Sequence, residues 1–152
     1  MNKINHDEEY PAEYLAKILK EVKTIAMVGA SPDPTKFSYG VLRVLHEQGY
    51  HMIPINPMEG LTEIRGIPVY PTLQSIDQPV DMVEVFRSSN ALFGIAQEAI
   101  DIGAKVLWAQ IGVRNDEAAK LAEAAGLKVV MNRCPKIELF RPFWKPRLNQ
   151  TI

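Results

Sequence analysis

Two spacings of apolar residues alternate along this chain. Tyr14, Leu15, Ile18, Leu19 and Val22 recur at helical intervals, so Asp7 to Lys23 reads as an amphipathic entry helix, with Asp7 as candidate cap and Pro11 tolerated in the first turn. Thr24 to Ala30 is then apolar without alternation, which suits a strand covered on both faces and predicts the first, central strand of a sheet. The rhythm continues with a helix over Tyr39–Gln48 stopped by Gly49, a strand over His51–Pro57, a short strand near Ile67–Tyr70 and a strand over Asp81–Arg87. A helix over Asn90–Ile102, a strand over Lys105–Gln110, a helix over Asp116–Ala125 and a strand over Lys128–Arg133 complete it, with Gly103 and Gly126 ending the helices. Parallel neighbours need helical crossovers of one hand, so this order predicts a single three-layer α/β/α domain with a parallel sheet of five to six strands. Residues 1–23 then form an N-terminal helical segment packed on the domain, 24–139 the domain itself, and 140–152 a C-terminal arm rich in Pro, Arg and aromatics.

Composition narrows the partners. At 152 residues the chain suits one domain and is too short for a nucleotide domain plus a full catalytic one. Lys and Arg number 17 against 18 Asp and Glu, a net charge of -1, so no overall field draws the protein to nucleic acid or an anionic membrane. An anionic ligand must therefore be held locally. The one cysteine, Cys134, excludes an internal disulfide framework and fits a reducing compartment. Met1 to Glu9 is polar and acidic, and no run is long enough to span a bilayer, so a cytoplasmic protein with neither nucleic-acid nor membrane partners is expected.

Open parallel sheets bind ligands at the carboxyl ends of their strands, where strand order reverses. In the loop after the first strand, Gly29 lets a ligand approach the backbone, Ser31 supplies a hydroxyl and Lys36 a charge, while a helix starting near Ser38 aims free N–H groups and its positive dipole end into the crevice. These features suit a phosphate or diphosphate; a plain strand-to-helix turn with a solvated lysine uses the same residues. A dinucleotide fingerprint would put glycine at Ser31 and Pro34, and an acid at the end of the second strand where Asn56 and Pro57 stand. NAD is therefore disfavoured, and an NADP-binding oxidoreductase stays an alternative.

The next strand ends in Val85, Phe86, Arg87, Ser88, Ser89 and Asn90. Arg87 can meet a phosphate bidentately or pair with a carboxylate, and Phe86 suits a ligand wall or core packing. Further on, Gln110 and Gly112 form either a ligand wall or a strand cap with a tight turn. Cys134, near Arg133 and Lys136, is either a reactive thiol with a lowered pKa or an inert buried one. His6, His46 and His51 are not placed as bases, and no Ser-His-acid set, HExxH pair or carboxylate dyad suggests itself, so no catalytic set and no metal site are expected.

Taken in order, Val28-Gly29-Ala30-Ser31, Pro34-Thr35-Lys36, Ser38-Tyr39, Gly49-Tyr50, Ile55-Asn56-Pro57, Asp81 through Arg87, Trp108 through Gly112 and Asn132 through Glu138 resemble the stand-alone coenzyme A-binding domain proteins, over roughly residues 10 to 142. The resemblance implies a Rossmann-like fold similar to the N-terminal coenzyme A-binding domain of the succinyl-CoA synthetase α subunit. It implies further that Gly29, Ala30, Ser31, Lys36, Ser38 and Tyr39 line the phosphate side, Asn56 and Pro57 the adenosine side, and Val85, Phe86 and Arg87 a crossing wall, with Asn90, Gln110 and Gly112 adjoining. Two departures matter. The synthetases carry a lysine shortly after the second strand, where this chain has Met58 and Glu59, so Lys36 or Arg87 would have to meet the 3′-phosphate. The synthetases also have a second domain bearing a phosphorylated histidine, which this chain stops short of, so ligase activity is not expected. The expectation is a binding module for coenzyme A or an acyl-CoA, a homodimer being reasonable through the apolar tail, with a thiol-redox protein using Cys134 as a further alternative.

Overall fold

The computed structural model describes residues 3–141. Strand β1 (Thr24–Val28) lies between β2 (His51–Ile55) and β5 (Met82–Val85), and β6 (Val106–Ala109) and β7 (Lys128–Val130) follow outward, all parallel. The central place falls to β5, not to β1 as its apolar run led one to expect. The chain runs outward from β1 to β2 and then crosses back over β1, so β1 ends second from an edge. The strand expected near Ile67–Tyr70 is likewise no sheet member. Strand β4 (Ile67–Pro68) pairs antiparallel with β3 (Glu63–Ile64) in a separate hairpin, and only Tyr70 bridges Ile55, so the sheet has five strands.

Successive strand residues point to opposite faces, and both faces are covered, which is why the strands read as unbroken apolar runs. Ala26, Val28, Val83, Val85 and Leu107 pack with α3 (Ser89–Asp101) and α4 (Asp116–Ala124). Ile25, Met27, Met82 and Trp108 pack with α1 (Ala12–Glu21) and α2 (Phe37–Glu47), together with Cys134 and Leu139 at the two ends of the short helix α5 (Pro135–Leu139). Trp108 is fully buried, and its indole N–H donates to the Arg133 carbonyl at 2.9 Å, which seats the start of α5 over β6. Helix α5 had no counterpart in the periodicity. It is only one turn long and opens on Pro135, whose fixed φ and missing N–H suit a first helical position.

The entry helix starts at Ala12, later than the expected Asp7, and Asp7 is not its cap. Instead the Asp7 carboxylate takes the Arg114 guanidinium at 2.6 Å, while Arg114 also holds Asp116 at 2.8 Å. The segment packs on β7: Tyr14 donates its hydroxyl to the Val129 carbonyl at 2.8 Å, and Tyr10 accepts from the Met131 amide at 2.8 Å. At the amino edge of the sheet the Asp81 carboxylate accepts from the amides of Lys23 at 2.9 Å and Thr24 at 3.0 Å. Partial burial pushes this carboxyl up, but those amides with Lys105 and Lys23 outweigh it and hold the group below the ordinary carboxylate value. Residues 142–152 of the expected C-terminal arm lie outside the described residues.

Candidate functional site

The reversal of strand order between β1 and β5 brings their carboxyl ends together beside the loop that leads into α2. Gly29 adopts φ +88°, and a Cβ there would lie 2.5 Å from the Phe86 carbonyl oxygen and 3.1 Å from Arg87 Cδ. The glycine is thus demanded by the approach of the two strand ends themselves. Beyond it the loop is self-organised: Ser31 Oγ accepts from the Asp33 amide at 3.1 Å, and Asp33 Oδ1 accepts from the Thr35 amide at 2.9 Å and the Thr35 hydroxyl at 2.8 Å. Those two Thr35 bonds hold the Asp33 carboxyl below its ordinary value.

Helix α2 begins at Phe37, and its N-terminus carries no side-chain cap, so its first amides are left for solvent or a ligand. Lys36 is exposed just before it and Ser38 is buried in the first turn. Tyr39 lies under the Arg65 guanidinium, 5.7 Å from the ring centroid, a partner the sequence reading passed over. Asn56 ties two loops, donating to the Ala30 carbonyl at 2.8 Å and accepting from the Met58 amide at 2.8 Å. Ala30 is buried in the core, while Pro57 is exposed.

On the other side of β5 the same edge opens into a cavity of about 450 Å³, whose walls include Phe37, Phe86, Arg87, Gln110, Cys134 and Ile137. Gln110 presents a buried side-chain oxygen with no hydrogen-bond partner among the described residues. Gly112 turns the chain at φ +85° and donates its amide to Asn132 Oδ1 at 2.7 Å. The structure therefore gathers Phe86, Arg87, Gln110 and Cys134 around one opening. It leaves two others out: the Val85 side chain is fully buried against α3 and α4, and Asn90 is exposed on the first turn of α3, outside the cavity wall. Phe37 and Ile137 were not singled out from the sequence, although Phe37 follows Lys36 directly; Ile137 carried no signal before α5 was seen.

Glu84 also escaped notice. It occupies the central strand between Met27 and Trp108, is fully buried, and neither carboxyl oxygen has a hydrogen-bond partner among the described residues. Burial pushes its pKa well above the ordinary carboxylate value, with the Val85 amide a weaker opposing influence. The signal was an acid inside an apolar strand, two residues before Phe86 on the same face.

With this edge described, comparison with known proteins decides the family: a family model for a CoA binding domain matches residues 23–139. The chain belongs to the CoA-binding domain family. Among its relatives, the uncharacterized protein YneT of Bacillus subtilis is 38% identical over 123 residues, covering 81% of this chain and 90% of YneT. The α subunit of the ADP-forming acetate–CoA ligase I of Pyrococcus furiosus is 32% identical over 89 residues, which is 56% of this chain but 19% of that subunit. A solved hypothetical protein from Pyrococcus horikoshii superposes with a TM-score of 0.82 at 35% identity, covering 91% of this chain and 96% of the other. This CoA-binding domain therefore has the synthetase-like α/β fold that the strand-end motifs implied. Among its described residues there is no group of three His, Cys, Asp or Glu able to hold a metal, and no helix long and apolar enough to cross a membrane.

Proposed function

We propose that this chain is a cytoplasmic binding module that holds coenzyme A or an acyl-CoA at the carboxyl edge of its sheet, without chemistry of its own. The reading is carried by the uncapped N-terminus of α2 with Lys36 before it and Arg87 across Gly29. A helix N-terminus attracts an anion through its free amides and dipole, and Lys36 adds a full charge. Neither Lys36 nor Arg87 has an ion-pair partner among the described residues, so both are available to phosphates. In this reading the diphosphate lies on the α2 amides, the adenosine toward Pro57, and the Phe86–Arg87 wall crosses beneath. Asn56, engaged with Ala30 and Met58, shapes the adenosine side by fixing the two loops. The orphan Gln110 oxygen fits an amide N–H, which the coenzyme's arm carries.

Calorimetric titration of the full chain with coenzyme A tests this. Saturable binding of one coenzyme per chain, with NADP failing to compete, is the expected result; absence of heat at millimolar coenzyme A overturns it. A thiol role for Cys134 is the second reading, favoured by its place on the cavity wall despite 4% exposure. Exposure to the disulfide of coenzyme A should then add one coenzyme mass that reductant removes, and an unchanged mass eliminates it.

A further inference from the structure

We infer that the cavity between α2, α5 and the ends of β5 and β6 receives the acyl group of a coenzyme A thioester, and that this group is apolar and uncharged. The inference rests on the reading above, in which the loop before α2 holds the coenzyme's diphosphate. The carboxyl edge has two unlike halves that meet at one residue pair. Lys36 and the α2 amides form the anion-binding half; Phe37, the very next residue, is the first wall of the cavity. A ligand anchored by phosphates on that turn has its uncharged end at the cavity mouth.

Three large apolar side chains stand in water around this mouth: Phe37 is 87% exposed, Ile111 54% and Ile137 47%. Below them Val113 at 7% and Cys134 at 4% close the floor. Grouped exposed apolar residues over a concave floor mark a place where something apolar docks. The opening also has one unmet valence, the buried Gln110 oxygen, which can only accept. A thioester carbonyl has no proton to give it, whereas the amide of the arm next to the thioester does. Gln110 therefore meets the arm, and the acyl group beyond lies among Phe37, Val113 and Ile137. A carboxylate on that group would lose its water against these walls, and of the two cations on them Arg87 is committed to the phosphates in this reading, which leaves Lys136 on the α5 wall to offset the loss.

The test is a calorimetric series on the full chain with free coenzyme A and its acetyl, butanoyl, hexanoyl, octanoyl and succinyl thioesters. Affinity should rise about fourfold per added methylene from acetyl upward and level off once the cavity is full. Succinyl should bind more weakly than butanoyl. In Phe37→Ser and in Ile137→Ser, two exposed positions whose change spares the core, the hexanoyl-to-free-coenzyme affinity ratio measured within each variant should drop at least threefold. A flat series, or succinyl binding tighter than butanoyl, overturns the acyl assignment while leaving coenzyme binding intact. If free coenzyme A and every thioester fail to bind, the underlying reading falls and takes this one with it.

Discussion

At the amino edge of the sheet, Asp81 collects the amides of Lys23 and Thr24 at 2.9 and 3.0 Å and stands 3.8 Å from the Lys105 ammonium. At the carboxyl edge of the same strands, α2 has no side-chain cap, the Gln110 oxygen has no partner among the described residues, and Phe37, Ile111 and Ile137 face solvent. Both edges must satisfy the same backbone valences, and buried polar groups in folded proteins are nearly always paired. One edge answers that demand with its own side chains. The other leaves donors, an acceptor and apolar surface unspent along one edge, and this supports the proposal that the edge meets a ligand.

The contrast can be broken most forcefully at Gly29. Gly29→Val should cost about 3 kcal/mol or more of stability in urea unfolding, because its Cβ meets the Phe86 carbonyl at 2.5 Å on a left-handed backbone. A loss below about 1 kcal/mol would mean that the strand ends part easily and that the glycine serves the ligand alone. Next in size is the combined Lys36→Ala and Arg87→Ala change. It should weaken coenzyme A binding roughly 50-fold, with the wild-type affinity falling as salt is added, yet move the unfolding free energy by less than about 0.5 kcal/mol.

The amino edge should respond in the reverse way. Asp81→Ala leaves the Lys23 and Thr24 amides without their acceptor and should lower stability by about 2 kcal/mol, with coenzyme affinity unaltered. Because the folded Asp81 pKa is depressed, its contribution is present above the ordinary carboxylate value and is lost as pH falls through the folded value. Denaturant titrations of both proteins from neutral to acid pH should converge in that window.

Smallest, and opposite in sign, is Glu84→Gln. Glu84 has a raised pKa in the fold, so above about pH 4.5 the unfolded chain releases a proton that the folded chain retains. Wild-type stability should therefore fall with rising pH, by up to about 1.4 kcal/mol per unit, until the folded group also ionises. The glutamine variant should lack that slope, so its stability relative to the wild type should rise between about pH 5 and pH 8. Identical slopes in the two proteins would place an undetected partner beside Glu84.

Much of this was legible before any coordinates, for a local reason. Unbroken apolar runs of strand length such as Thr24 to Val28 suit strands with both faces covered, and glycines at 49, 103 and 126 stop helices by supplying left-handed backbone. Motifs at successive strand ends then pointed to one edge, and Phe86, Arg87, Gln110 and Cys134 do converge on one cavity there. Illegible were the facts that depend on which strand lies beside which. The central place of β5 follows from a crossover direction that no residue encodes locally, and the one-turn α5 is too short for periodicity to reveal.

The chain's own order of residues thus settled the alternation of strands and helices, because hydrophobic period and turn residues act over a few positions, and it named the candidate edge in advance. Packing alone decided that Gly29 must yield to a neighbouring carbonyl, that Val85 turns into the core while Phe86 turns to the cavity, and that Glu84 stays buried without a partner. Those outcomes depend on contacts between different elements, such as that of Gly29 with Phe86, and such contacts exist only once the sheet has closed.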